Sequence, residues 1–240
     1  MDERYLSLLP NELLTIVETA EALAGCEVVI VANESAAEFD NLGLGLDQQT
    51  GNCDATISHR GNGLSQWALV HEVFHLGESW VDCVPFLAPN SEKYQHEAIT
   101  LNDLVSHLDI IPNERRFVET ESDAHWVAQT STAVSALPLV HGQSTAEEQL
   151  AFFRNALQAR ALLDIALPHL DNSALYARLR DSGVFDLSGE FVLGLKNRAG
   201  NRLATISFVA STFKYPREGF SVIKFDLRVR PRRIVTAEAA

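Results

Sequence analysis

Apolar positions fall into stretches with distinct periods. Residues 10–24 repeat at helical spacing through Leu13, Leu14, Val17, Ala20 and Ala24, the pattern of a helix with one buried face. Pro10 and Asn11 open it and Gly25 closes it. Residues 27–32, centred on Val28-Val29-Ile30-Val31, form a short β-branched run that predicts a buried strand. Residues 43–52, rich in Gly, Gln and Asn, read as a loop or hairpin. Residues 55–59 predict a second strand and Arg60-Gly61-Asn62-Gly63 a turn. Ser65 then stands as the cap of a helix that Gly77 ends or kinks.

Further along, residues 79–90, with Pro85 and Pro89, read as a loop, and Ser91 caps a helix to about 107. Pro112 and Asn113 start another helix, running to about 136, where Pro138 stops it. Residues 145–167 predict a long amphipathic helix with Leu150, Phe153, Leu157, Ala161 and Ile165 at helical spacing. Its opening, Ser144-Thr145-Ala146-Glu147-Glu148, resembles a capping box. After a short helix at 174–180, residues 190–195, 202–211 and 220–229 read as three strands of an antiparallel meander. The expected fold is α+β: a short sheet packed on helices, then a long helix, then a C-terminal antiparallel sheet.

The chemistry sits in the helix capped by Ser65. It contains His71-Glu72-Val73-Phe74-His75, flanked by Trp67, Ala68, Leu69, Val70 and Leu76. Residues four apart lie on one helix face, so both imidazoles can reach one metal ion. Zinc suits such a pair. Glu72 follows directly on the first His, beside the position a water would take, and there it can act as general base. A helix apolar on most sides is a buried helix, and two His and a Glu inside one are costly unless paired or metal-bound. The bland alternative, a solvated helix end carrying unrelated polar residues, fits the apolar flanks poorly.

A catalytic zinc usually takes three protein ligands. Asp82, His96, His107, Glu119, Glu121, Asp123 and His125 come next in the chain. In the helix after Pro112, Val118, Glu121, His125 and Ala128 fall on one stripe, with Glu119 and Asp123 on the far side. If Val118 and Ala128 face the core, so does Glu121, which makes it the preferred third ligand and His107 its rival. Tyr94, His96, His107 and His125 are candidates for an additional oxyanion donor.

The motif together with Glu121-Ser122-Asp123-Ala124-His125-Trp126-Val127-Ala128 resembles the gluzincin metallopeptidases whose second motif reads E-x-E-A-N/D-x-x-A, and among them the ImmA/IrrE-like group. The resemblance covers about residues 25–135. It implies a zincin domain in which Glu121 ligates zinc and His125 takes the outer position of the usual Asn or Asp, orienting His71 by a hydrogen bond. His125, and Asp123 in place of the usual Glu, depart from the pattern. In such enzymes the strand at 55–59 would pair with an extended peptide substrate, and the substrate would be a regulatory protein.

Composition adds limits. The chain has 240 residues, 19 Lys+Arg and 32 Asp+Glu, for a net charge of −13. From Asp171 onward there are 12 basic and 7 acidic residues, +5, which leaves 7 and 25, or −18, before it. That shift suggests a zincin-like domain over residues 1–170 and a small β-rich domain over 171–240. Arg228, Arg230, Arg232 and Arg233 could contact phosphates, but their alternation with apolar residues reads better as the outer face of a half-buried strand. No window reaches the 18 apolar residues of a membrane span. No signal-like segment follows Met1, so the cytoplasm is expected. Cys26, Cys53 and Cys83, an odd number without C-x-x-C spacing, fit a reducing compartment as buried or free thiols. Two function classes result: a zinc-dependent peptidase, and a non-catalytic sensor or protein-interaction module in which zinc is structural.

Overall fold

The computed structural model describes residues 1–33, 41–60, 63–136 and 145–237. The turn at Gly61-Asn62, the stop at Pro138 and Ser144 lie outside these residues. The chain divides into two units. One joins Met1–Phe86, Arg116–Glu119 and Ser221–Ala240; the other joins Leu87–Arg115 and Thr120–Phe220. The boundary expected near residue 170 lies inside the second unit.

In the first unit, a short helix α1 (Glu3–Leu6) precedes α2 (Asn11–Ala24). Gly25 closes α2 at φ +67°, a left-handed conformation that glycine adopts without a Cβ penalty. The Arg232 side chain donates from Nε to the carbonyl of Leu23 at 2.6 Å, so an arginine from the far end of the chain satisfies one of the last carbonyls of α2. Strands β1 (Val28–Ala32), β2 (Asn41–Leu46) and β3 (Cys53–His59) form a sheet in the order β1-β3-β2. β3 runs parallel to β1, with Ile57 opposite Ile30, and antiparallel to β2, with Ala55 opposite Leu44. Of the loop or hairpin expected at 43–52, the hairpin is what forms: residues 43–46 belong to β2 and the chain turns back into β3. Leu42, Leu44 and Leu46 alternate with glycines and pack on the core, which gives β2 one apolar face.

Helix α3 (Gln66–Leu76) starts where Ser65 Oγ accepts the amide of Ala68 at 3.1 Å. Gly77 does not stop the chain; residues Gly77–Val81 continue as a π-helical turn. Leu69, Val73, Leu76 and Trp80 are fully buried along this run, in one cluster with Leu13, Val17, Ile57, Phe225 and Leu227. β5 (Phe220–Asp226) lies between β4 (Phe86–Pro89) and β6 (Arg233–Thr236), and β5 and β6 are antiparallel. Phe225 presents its ring edge-on to Trp80, centroids 6.4 Å apart.

α4 (Gln95–Ala136) contains Pro112 and is interrupted at Val118, whose φ −139° and ψ 49° are not helical. It is a hairpin of two arms rather than one rod. Arg115 Nε donates to Asp123 Oδ1 at 2.6 Å, and Ser122 Oγ to Glu114 Oε1 at 2.6 Å. Both pairs are eight residues apart, a separation of about 12 Å in a straight helix. The break expected at Pro112 falls instead at Val118. Asn102 holds the first arm to β4: its amide accepts from the N–H of Leu87 at 2.8 Å and donates to the same residue's carbonyl at 2.9 Å. α5 (Ala146–Ala161) begins with the expected capping box, Thr145 and Glu148, and α6 (Ser173–Asp181) follows.

The expected meander is corrected in its first two strands. α7 (Phe185–Lys196) and α8 (Arg202–Thr212) are helices; of the three strands only the last, β5, exists. Ser188, Phe191, Val192 and Leu195 are buried in α7 and Thr205, Ile206 and Val209 in α8. These are spacings of three and four, a helical period that outweighs the strand propensity of the β-branched residues.

Candidate metal centre

The buried helix α3 presents its polar residues in order. His71 is 8% exposed and Glu72 5%. Trp67, one turn before His71, stacks on its imidazole with centroids 5.4 Å apart and planes 27° apart. His71 in turn meets His75 edge-on at 4.8 Å. Trp67, His71 and His75 thus form one column along the helix, as four-residue spacing requires. The column brings His71 Nε2 and His75 Nε2 to 3.2 Å. Two nitrogens bound to one tetrahedral ion at about 2.0–2.1 Å stand about 3.3–3.4 Å apart. The pair therefore already has the separation that shared coordination needs.

Three histidines, His71, His75 and His107, each offer a ring nitrogen, and these atoms all lie within 4.8 Å of one another. They are close enough to hold a metal ion. The donor set fits: three neutral imidazoles suit zinc and its neighbours in the first transition row, and they leave a fourth position open.

The other residues singled out in the sequence are placed as follows. Glu121 is exposed, as are Glu119, Asp82 and His96. The stripe that was to carry Glu121 inward does not exist, because Val118 breaks the helix and resets its phase. On the second arm the buried residues are Ser122, Trp126 and Thr130. Asp123 accepts from Arg115 and lies 3.0 Å from His169 Nε2, and the Arg115 bond holds its carboxyl below the usual range. His125 is half-buried, edge-on to Trp126. Tyr94 packs its ring on Phe220, centroids 5.2 Å apart, which is a packing role. Cys26, Cys53 and Cys83 are free thiols, and burial pushes those of Cys26 and Cys53 up.

β3 is the central strand of its sheet, paired on both sides, so it has no edge to offer a peptide. The outer strands of the sheet are β1 and β2. The four arginines have partners within the protein: Arg228 donates to the carbonyl of Val81, Arg230 to that of Leu227 and Arg232 to that of Leu23, while Arg233 pairs with Asp226. Among the described residues no helix is long and apolar enough to cross a membrane.

Sequence reasoning passed over Glu114, Ser122 and Trp126. Glu114 and Ser122 are wholly buried and Trp126 is 6% exposed. The signal for Glu114 was present in Leu104, His107, Ile111 and Glu114, spaced three, four and three, which puts a carboxylate on the same helix stripe as a candidate ligand.

Comparison of the chain with family models, with curated proteins and with solved structures found no match.

Proposed function

We propose that the protein is a zinc-dependent metallopeptidase in which His71, His75 and His107 hold the ion and Glu72 is the general base. The observation that carries this reading is the 3.2 Å separation of the two Nε2 atoms on α3, with the buried carboxylate of Glu72 next in the chain. An ion held there supplies Lewis acidity, polarising a carbonyl and lowering the pKa of water. Glu72 accepts the proton of the attacking water and returns it to the leaving amine. The aromatic column from Trp67 fixes the ring of His71 during both transfers.

The resemblance to gluzincins of the ImmA/IrrE-like group supports the motif helix and its base. The third ligand departs from that group in being His107 rather than Glu121. Strand β2 suits an extended peptide: it is an edge strand of its sheet, and Gly43 and Gly45 carry no side chains of their own on the face away from the core.

The test is metal content together with hydrolysis of a peptide library. The wild-type protein should carry one equivalent of zinc and cleave peptides. Glu72→Gln should keep the metal and lose on the order of 10²–10⁴ in rate. Absence of bound zinc, or undiminished cleavage by Glu72→Gln, would overturn the proposal. A variant that keeps zinc while neither it nor the wild-type protein cleaves any peptide would favour a non-catalytic zinc module.

A further inference from the structure

The second arm of α4 carries a buried polar arrangement aimed at His107. Trp126 meets the His107 ring edge-on, centroids 5.0 Å apart and planes at 65°. Its indole Nε1 donates to Glu114 Oε1 at 2.7 Å. Ser122 Oγ donates to the same oxygen at 2.6 Å. Glu114 is 0% exposed. His107 and Glu114 are seven residues apart, two turns along one face of the first arm. The indole from the second arm therefore touches both, packed on one and hydrogen-bonded to the other.

A buried carboxylate is costly, and chains keep one only where hydrogen bonds satisfy it. Here two such bonds reach one oxygen, one of them from the indole. The indole bond is short and directional, at 2.7 Å, so it fixes the rotation of Trp126 more tightly than apolar packing would. An aromatic edge held in one place restricts the orientation of the imidazole it touches.

We propose that Trp126, oriented by the carboxylate of Glu114, is the positioning residue for His107 as third metal ligand. The inference rests on the three-histidine reading of the site. The Val118 fold thereby gains a function: it returns the second arm along the first, so that an indole twelve residues after Glu114 can reach back to His107.

The experiment is cobalt titration of the metal-free protein, read by the visible spectrum of the bound ion and by competition with a chelator. Removing an outer partner of a metal ligand typically costs 10–100-fold in affinity. Trp126→Leu should fall near the upper end of that range and alter the cobalt spectrum. Trp126→Phe keeps an aromatic edge but loses the N–H; it should cost about tenfold and supplies the answer if the Leu variant does not fold. Glu114→Gln, which keeps an acceptor oxygen, should lie between wild type and Trp126→Phe. In a His107→Ala background the Trp126 substitutions should cost nothing further, because the residue acts through His107. Equal losses in both backgrounds, or an unchanged spectrum and affinity in Trp126→Phe, overturn the proposal. If His107→Ala alone leaves affinity unchanged while His71→Ala abolishes it, the three-histidine reading fails first.

Discussion

Arg115 and Asp123 are eight residues apart in sequence, yet Arg115 Nε stands 2.6 Å from Asp123 Oδ1. A second contact, Arg115 Nη2 to Asp123 Oδ2 at 3.2 Å, makes the pair bidentate. Both side chains are partly buried, at 21% and 27% exposure. With the Glu114–Ser122 bond, this pair clasps the two arms of α4 below the Val118 turn.

The clasp predicts an acid sensitivity. The Arg115 bond, more than any other influence, lowers the Asp123 pKa from its ordinary value. A depressed carboxylate stabilises the fold above its unfolded pKa, and that contribution is lost as pH falls through the folded value. Asp123→Asn should cost roughly 1 kcal/mol at pH 7. The gap to wild type should narrow as pH falls below about 4, the ordinary aspartate value. Urea midpoints of both proteins at pH 7 and pH 3 measure it. A gap that widens toward pH 3 would contradict the assignment.

Zinc should be a folding ligand as well as a reagent. At a free concentration 100 times its Kd, a ligand that binds only the native state adds about 2.7 kcal/mol. Thermal melts with a chelator and with excess zinc should therefore separate by several degrees. The separation should vanish in His71→Ala and His75→Ala, shrink strongly in His107→Ala, and persist in Glu121→Ala, whose carboxylate is exposed. Loss of the zinc effect in Glu121→Ala would restore the gluzincin ligand set.

Ser65 should be worth about 1 kcal/mol as the cap of the motif helix. Its hydroxyl accepts the Ala68 amide at 3.1 Å, and Ala at this position leaves that donor to water. Chemical denaturation of Ser65→Ala checks the value, and a change below about 0.3 kcal/mol would mean that the helix start is held by packing alone.

Gly194 sits in α7 where a Cβ would collide with the ring of Phe208. That ring stacks on Phe191, with planes 19° apart. Replacing an exposed helical glycine with alanine stabilises by about 1 kcal/mol. Here overpacking, typically 1–3 kcal/mol, should reverse the sign, so Gly194→Ala should unfold at lower denaturant than wild type. A higher midpoint would show that Phe208 moves aside freely.

The parts of the fold that were legible in the sequence carry both a period and a terminator. α2 has its apolar stripe between Pro10 and Gly25; α3 has Ser65; α5 has Thr145 and Glu148. β1 and β3 are short runs rich in β-branched residues. The histidine pair was legible because a four-residue spacing fixes two side chains on one helix whatever surrounds it. Two kinds of information were hidden. Residues 190–211 combine strand-forming side chains with helical spacing, and only the burial of Phe191, Leu195 and Ile206 decides between them. The inward phase of Glu121 requires one continuous helix, whereas the helical course is interrupted at Val118. A single non-helical residue is enough to turn a core-facing stripe outward, and no propensity marks valine for that role.

The unit that holds His71 and His75 is closed by residues from the far end of the chain. Phe225 and Leu227 belong to the same buried cluster as Trp80 and Leu69, and Arg232 caps α2. A ribosome delivers these residues well after the motif helix. Contacts between positions about 150 to 210 apart in sequence are slow to form, because a long loop must close before they contribute. Until residue 227 has been made, the motif helix therefore lacks part of the core it packs on. The hydrolytic centre proposed for this protein would thus gain its full support only once residues 225–232 have been made.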